Sequence, residues 1–414
     1  VKIEDLARQA LAVFAPPPDL TISEWADQFR YLSPEASAEP GRWNTDRAPY
    51  QRGIMDAISH HETETVVLMT SAQIGKTAIL ENVVGYFVSQ DPSPTLLLQP
   101  TLEMAATFSK DRLAPMLRDT PSLRGLVKDA RARDSGNTQL HKQFPGGHIT
   151  MTGANSPANL ASRPIRVVLC DEVDRYPESA GTEGDPVALA RKRSATFWNR
   201  KIVLTSTPTI KGLSRIEQAY LASDQRRYWV PCPDCGEHQV LSWANVRWDE
   251  DQPETAHYVC EHCGSCIDEQ HKLPMLQRGE WRASAPFKGA AGFHINELYS
   301  PWRRWSEIAA DFLEAKQGGS EMLKAWVNTS LGETWDDEGE GVEAIGLIAR
   351  LERYAREDLP AHLLTAGVDV QKDRLECSLV AWGKGEEAWL IDHVIIDGDT
   401  TSPAPWEELA ELFK

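Results

Sequence analysis

Thr63-Glu-Thr-Val-Val-Leu-Met-Thr-Ser-Ala-Gln-Ile-Gly-Lys-Thr77 decides the fold. Val66 to Met69 reads as a buried strand, then comes a turn, then a helix from Thr77 to Gln90. Gly75-Lys76-Thr77 stands at the mouth of that helix. Exposed backbone N–H groups at a helix N-terminus bind polyphosphate, a lysine neutralises its outer charge, and a hydroxyl ligates Mg²⁺. The candidate nucleotide loop is therefore Ser71, Ala72, Gln73, Ile74, Gly75, Lys76 and Thr77. The usual pattern has a glycine five residues before Gly75, where this chain has Thr70.

Ile165-Arg-Val-Val-Leu-Cys-Asp171-Glu172 is an apolar strand ending in two acids. Asp171 would hold Mg²⁺ together with Thr77, and Glu172 would orient and deprotonate an attacking water. Pro94 to Pro100 and Lys201 to Thr209 add short apolar runs bounded by turn residues. Such runs suit a parallel sheet covered on both faces. Helical stretches alternate with them, which predicts a doubly wound α/β core of the P-loop NTPase type. Ligands of such sheets sit at the carboxyl ends of strands, where Lys76, Asp171, Ser206 and Thr207 all fall.

Pro231-Cys232-Pro-Asp-Cys235-Gly236 and Tyr258-Val-Cys260-Glu-His-Cys263-Gly264 form two Cys-x-x-Cys-Gly knuckles. Four thiolates brought together make a tetrahedral cage suited to structural Zn²⁺. Cys266 is an alternative fourth ligand, but Cys263 fits the paired spacing. Disulfides are disfavoured, because no signal peptide is visible and the chain reads as intracellular.

The net charge of −18 excludes a passive DNA-coating protein. It leaves room for a DNA motor that binds through local patches, for which Arg191-Lys192-Arg193, Arg200-Lys201, Arg226-Arg227 and Arg303-Arg304 are candidates. No apolar run approaches membrane-spanning length. A short amphipathic helix is expected at Leu6–Phe14, before Pro16-Pro17-Pro18.

Together these residues resemble the large subunit of a tailed-phage DNA-packaging terminase, of the lambda-like branch. The resemblance runs through Ala15-Pro-Pro-Pro-Asp-Leu-Thr-Ile-Ser-Glu-Trp-Ala26, Leu32 to Trp43 and Arg47-Ala-Pro-Tyr-Gln51. It continues through Ser71 to Thr77, Asp171-Glu-Val-Asp174, Asn328 to Trp335 and Gly367-Val-Asp-Val-Gln371. It implies an ATP-hydrolysing motor that translocates double-stranded viral DNA into a procapsid, joined to an endonuclease. It also implies a terminase small subunit and procapsid portal as partners, a homo-oligomer when active, and the host bacterial cytoplasm as location. Tyr50 and Gln51 take the adenine-recognising place, or else open a helix packed on the core. Ser206 and Thr207 take the place of a γ-phosphate sensor. Arg163 is the candidate for transition-state charge, with Arg166 behind it.

The resemblance further implies an RNase H-like nuclease with Asp369 bridging two Mg²⁺ or Mn²⁺ ions. Leu363 to Gly383 reads as a hairpin and Glu387 to Ile396 as a third strand. The resemblance implies further carboxylates beyond Lys414, and no motif places Asp392, Asp397 or Asp399 beside Asp369, so a truncated, incomplete nuclease is expected. The expected organisation is an extension at 1–45, an ATPase domain at 46–225 and a zinc ribbon at 226–275. A linker region at 276–360 and the start of the nuclease at 361–414 follow. A noncatalytic assembly scaffold and a helicase-like ATPase of a mobile element are the alternatives.

Overall fold

The computed structural model describes residues 19–128, 137–156, 164–336, 354–355, 359–385 and 387–413. The helix expected at Leu6–Phe14 and the candidate Arg163 lie outside them. The chain divides into two compact units, Val1–Asp337 and Glu338–Lys414.

The larger unit is built on a ten-stranded sheet. Thr65–Thr70, the strand before the glycine-lysine turn, is buried at every residue. Lys201–Ser206 pairs with it in parallel on one side and Ala290–Ile295 on the other. Beyond Lys201–Ser206 come Val167–Asp171, Pro94–Gln99 and Gly147–Gly153, all parallel. His141–Phe144 closes that edge antiparallel. On the opposite edge Arg226–Pro231 runs parallel to Ala290–Ile295, and His238–Val240 and Glu280–Arg282 flank it antiparallel.

Alternation along the strands divides the core between the two faces. Val66 and Leu68 join Ile79, Val83 and Phe87 of the helix Lys76–Ser89 on one face. Val67 and Met69 join Val187, Ile216 and Tyr220 on the other. Both faces are covered, which is why these strands read as continuous apolar runs. Lys76–Ser89 in turn packs against the helix Ile22–Phe29. A Cβ at Gly85 would strike the Trp25 ring, whose indole N–H donates to Ser89 Oγ at 2.9 Å.

The region expected to be a linker contributes a central strand, Ala290–Ile295, and the helices Trp305–Gln317 and Ser320–Trp326. The strand carries Gly292 and a buried His294, which dilute its apolar pattern. Gly292 is required there, because any Cβ would collide with Ser223.

The knuckle region forms a three-stranded antiparallel sheet of Val246–Asp249, Gln252–Val259 and Cys266–Ile267. It packs on those two helices through aromatic rings. Trp243 lies 5.1 Å from Phe312 and 4.8 Å from Trp326, centroid to centroid.

The smaller unit has the three antiparallel strands Leu363–Val370, Arg374–Trp382 and Ala388–Asp397, then the helix Ala404–Leu412. Leu375, Cys377, Ile396 and Leu409 form its core. No helix among the described residues is long and apolar enough to cross a membrane.

One buried ion pair ties the N-terminal segment to the phosphate-loop helix. Arg30 Nη2 donates to Glu81 Oε2, with the two side chains 3% and 7% exposed. Burial pulls the arginine's pKa down and pushes the carboxyl's up, each opposed by the partner's charge. Removing one member strands the other charge in an apolar setting. Arg30→Met should therefore cost about 3–5 kcal/mol in urea unfolding, whereas loss of an exposed pair costs under about 1 kcal/mol.

Candidate active site and cysteine centre

The phosphate loop links Thr70 to Lys76. Gly75 caps the helix in the left-handed conformation at φ 87°, and Gln73 shares that region at φ 56°. Tyr50 Oη and Gln51 Nε2 both donate to the Ile74 carbonyl, at 3.1 and 2.9 Å. Both side chains are buried, and burial pushes the Tyr50 phenol well above its ordinary range. They brace the loop from below.

Lys76 Nζ reaches Glu172 Oε1 at 3.1 Å. The ammonium is closed off from solvent, and the pair lacks hydrogen-bond geometry. This meeting follows from the strand order. Lys201–Ser206 separates the loop strand from Val167–Asp171, and all three end at one level. Glu172 leaves its strand with φ 54° and ψ 52°, a conformation a non-glycine residue adopts only when its surroundings enforce it.

Asp171 is buried, with Oδ1 accepting from Thr205 Oγ1 at 2.6 Å and Oδ2 from Gln99 Nε2 at 3.0 Å. Burial pushes its pKa up, and the two hydrogen bonds pull it back. Thr77 is half-buried in the first helical turn. Ser206 Oγ accepts from Asp174 N at 3.3 Å, and Thr207 Oγ1 lies 3.4 Å from Glu172 Oε2. The structure thus gathers Lys76, Asp171, Glu172, Ser206 and Thr207 at one set of strand ends.

Arg166 does not join them. It sits at the other end of its strand, where Nη1 and Nη2 each donate to Asp91 at 2.7 Å. The described arginine that nears the acids is Arg175, with Nε 3.8 Å from Glu172 Oε2. It follows Glu172 by three residues on a single 3-10 turn, a spacing visible in the sequence. Two other basic candidates are committed internally. Lys201 Nζ donates to the His60 and Thr63 carbonyls at 2.5 and 2.6 Å, and Arg227 to His294 at 2.8 Å.

A second wall holds the loop from the far side, and part of it is the Asn328–Trp335 stretch, which carries the resemblance but had no role assigned to it. Ser71 N donates to Ile295 O at 3.0 Å and Ala72 N to Thr329 O at 2.7 Å. Thr329 lies in a π-helical turn, Val327–Leu331, which ends at Gly332 with φ 63°. A Cβ at Gly332 would stand 2.5 Å from Ser71 N. His294 supports this wall. Its Nδ1 accepts from Arg227 Nη1 at 2.8 Å, so its Nε2 carries the proton donated to Gly332 O at 2.9 Å.

Of the cysteines, Cys232, Cys235, Cys260 and Cys263 bring their Sγ atoms within 4.8 Å of one another. Cys232–Cys263 and Cys235–Cys260 are each 3.9 Å apart. A tetrahedron of sulfurs about 2.3 Å from zinc has edges of about 3.8 Å, so the residues fit the ion. The knuckles are alike, with Gly236 N donating to Cys232 O and Gly264 N to Cys260 O, both at 3.0 Å. Cys266 lies outside the cluster, paired in a strand with Val259.

Asp369 is exposed on the first strand of the smaller unit, opposite Glu376, and accepts from Gln371 Nε2 at 2.5 Å. Among the described residues it belongs to no group of three metal-binding side chains.

Burial, then the neighbouring Arg227, pulls His294 down to about 3. An unfolded chain protonates such a residue near 6.5. The folded state therefore binds fewer protons between those values. The stabilisation is complete above the unfolded pKa and falls away as pH drops, by about 2 kcal/mol at pH 5. His294→Gln keeps a donor and an acceptor without titrating. Urea unfolding of this variant should show a flatter loss of stability from about pH 6.5 to 4 than the parent, and equal slopes would count against the assignment.

The ATPase-domain family model of the phage terminase large subunit gpA matches residues 37–281. The gpA endonuclease-domain model matches residues 290–414. The chain is 35% identical to the terminase large subunit of Enterobacteria phage P21, over 95% of this chain and 65% of that protein. It is 34% identical to the terminase large subunit of Escherichia phage lambda, over 94% of this chain and 64% of that one. The chain thus spans just under two thirds of the length of these relatives. The solved HK97 bacteriophage large terminase aligns with 91% of this chain and 68% of its own, at 12% identity and a TM-score of 0.47.

The endonuclease match corrects the expectation of a truncated, incomplete nuclease. The matched span runs from residue 290 to 414, includes Asp369, and opens on the central strand Ala290–Ile295. The ATPase-domain match alone covers more than half of the residues, and the chain belongs to the phage terminase large subunit gpA family.

Proposed function

We propose that this chain is the ATP-hydrolysing motor subunit of a viral DNA-packaging terminase. It translocates double-stranded DNA into a procapsid and carries a metal-dependent endonuclease. The observation that supports this most directly is the meeting of Lys76 and Glu172 beside buried Asp171. Thr77 and Asp171 would hold Mg²⁺, which offsets phosphate charge. The loop amides and Lys76 bind the phosphates. An incoming γ-phosphate competes for Lys76 and releases Glu172, which then orients a water and accepts its proton. Thr207, beside Glu172, carries the change into the strand end.

The remaining partners follow from the same reading. They are the terminase small subunit, the procapsid portal and further copies of this chain, met in the host bacterial cytoplasm. The four cysteines hold structural Zn²⁺. Asp369 serves as a ligand for Mg²⁺ or Mn²⁺ in phosphodiester hydrolysis.

DNA-stimulated ATP turnover tests the motor. Glu172→Gln should lower it by at least about 100-fold while ATP binding persists. Turnover equal to that of the parent would defeat the assignment. Elemental analysis tests the cysteine centre, with one Zn²⁺ per chain expected. Cys260→Ser should lose most of that metal along with thermal stability. A metal-free parent of unchanged stability would refute the zinc centre.

A further inference from the structure

Glu172 is held at φ 54° and ψ 52°, a conformation its own backbone disfavours. Lys76 cannot be what holds it through the reaction, because the incoming phosphate draws the ammonium away. The restraint must act on the chain that follows, the 3-10 turn Val173–Arg175.

Asp174, in the middle of that turn, is tied at three atoms. Its N–H donates to Ser206 Oγ at 3.3 Å. Its Oδ2 accepts from Thr209 Oγ1 at 3.0 Å, and its Oδ1 from the Ile216 N–H at 2.8 Å. Ser206 closes the strand Lys201–Ser206, Thr209 lies just beyond it, and Ile216 belongs to the helix Arg215–Leu221. The turn is thereby fixed against two separate elements. Both groups that reach the side chain are donors, which suits an acceptor-only carboxylate. Arg215 extends the grip, with Nη1 donating to Tyr176 O at 2.8 Å and Nη2 to Pro177 O at 2.7 Å. The Ser206 hydroxyl that receives the Asp174 N–H also donates to Thr207 O at 2.8 Å. One hydroxyl therefore sets both the turn after Glu172 and the residue whose side chain lies beside Glu172 Oε2.

We propose that Asp174 is the positioning residue of the hydrolytic site. By fixing the turn that follows Glu172, it keeps that carboxylate aimed at the attacking water once Lys76 has moved to the phosphate. This inference rests on the ATPase reading above. Asp174 acts through Glu172 and not on the nucleotide, so its loss slows turnover and leaves ATP binding intact. A plain turn support would instead lower stability and leave the rate of bound ATP unchanged.

ATP hydrolysis by the whole chain with DNA and Mg²⁺, calorimetric ATP binding and urea unfolding test this together. Asp174→Ala should lower kcat by at least about ten-fold, with the Kd for ATP within about two-fold of the parent. Asp174→Asn keeps an acceptor for the Ile216 N–H and offers an amide to the Thr209 hydroxyl, so it should recover most of kcat. Thr209→Val removes one contact and spares the others, and should lower kcat by about three-fold or more. In the Glu172→Gln background, Asp174→Ala should cost less than about two-fold further, because the group it positions is already gone. Parental kcat in both Asp174→Ala and Thr209→Val, whatever their stability, would overturn the proposal. So would the same fold-loss with Glu172 present or replaced, which would mark a role independent of that carboxylate. A parent that neither binds nor hydrolyses ATP would overturn the ATPase reading itself, and this inference with it.

Discussion

The parallel pairing of Thr65–Thr70 with Lys201–Ser206, and of that strand with Val167–Asp171, is the constraint from which the site follows. Parallel strands end together, so the turn after each one opens on the same side. The phosphate loop, the Asp171-Glu172 pair and the Ser206-Thr207 end are thereby neighbours, although they are far apart in sequence. The strand between the loop and the acids sets the distance that Lys76 and Glu172 span, 3.1 Å at their tips. A different strand order would leave the same residues chemically idle.

The loop is also a captive of residues far downstream. Ile295, Thr329 and Gly332 fix its backbone, and Ser300 Oγ donates to Gln73 O at 3.2 Å. Those residues are in turn tied to the knuckle segment. Asn296 Nδ2 donates to Leu241 O at 2.8 Å, and Tyr299 Oη accepts from Leu241 N at 2.7 Å while donating to Tyr228 O at 2.6 Å. Buried Cys232 and Cys260 belong to the same apolar cluster as Tyr228, Leu241 and Tyr299. A metal held at the cysteines would therefore stiffen the wall that carries Ser300 and Trp302.

Much of this was legible in the sequence because its signals are local. A strand, a glycine-lysine turn and a helix occupy one short stretch. The acids end an apolar run, and the cysteines come in spaced pairs with a glycine after each. The second wall was not legible, because its parts are joined only by long-range pairing. Ala290–Ile295 is weakly patterned, with Gly292 and His294 placed by what they touch, Ser223 in one case and Arg227 and Gly332 in the other. Arg166 misled for a local reason. The sequence places it near the acids, while a strand's length puts it at the opposite end, against Asp91. The roles of Tyr50 and Gln51 also turn on burial, and their donors point into the loop rather than out of it.

The proposed motor turns on Lys76 exchanging Glu172 for phosphate. A crystal structure of this chain with Mg²⁺ and a non-hydrolysable ATP analogue tests that most directly. Lys76 Nζ is expected on the outer phosphate oxygens, Glu172 released to face the γ-phosphate, and Asp171 with Thr77 at the metal. An analogue bound away from the Ser71–Thr77 loop, with Lys76 still paired to Glu172, would contradict it.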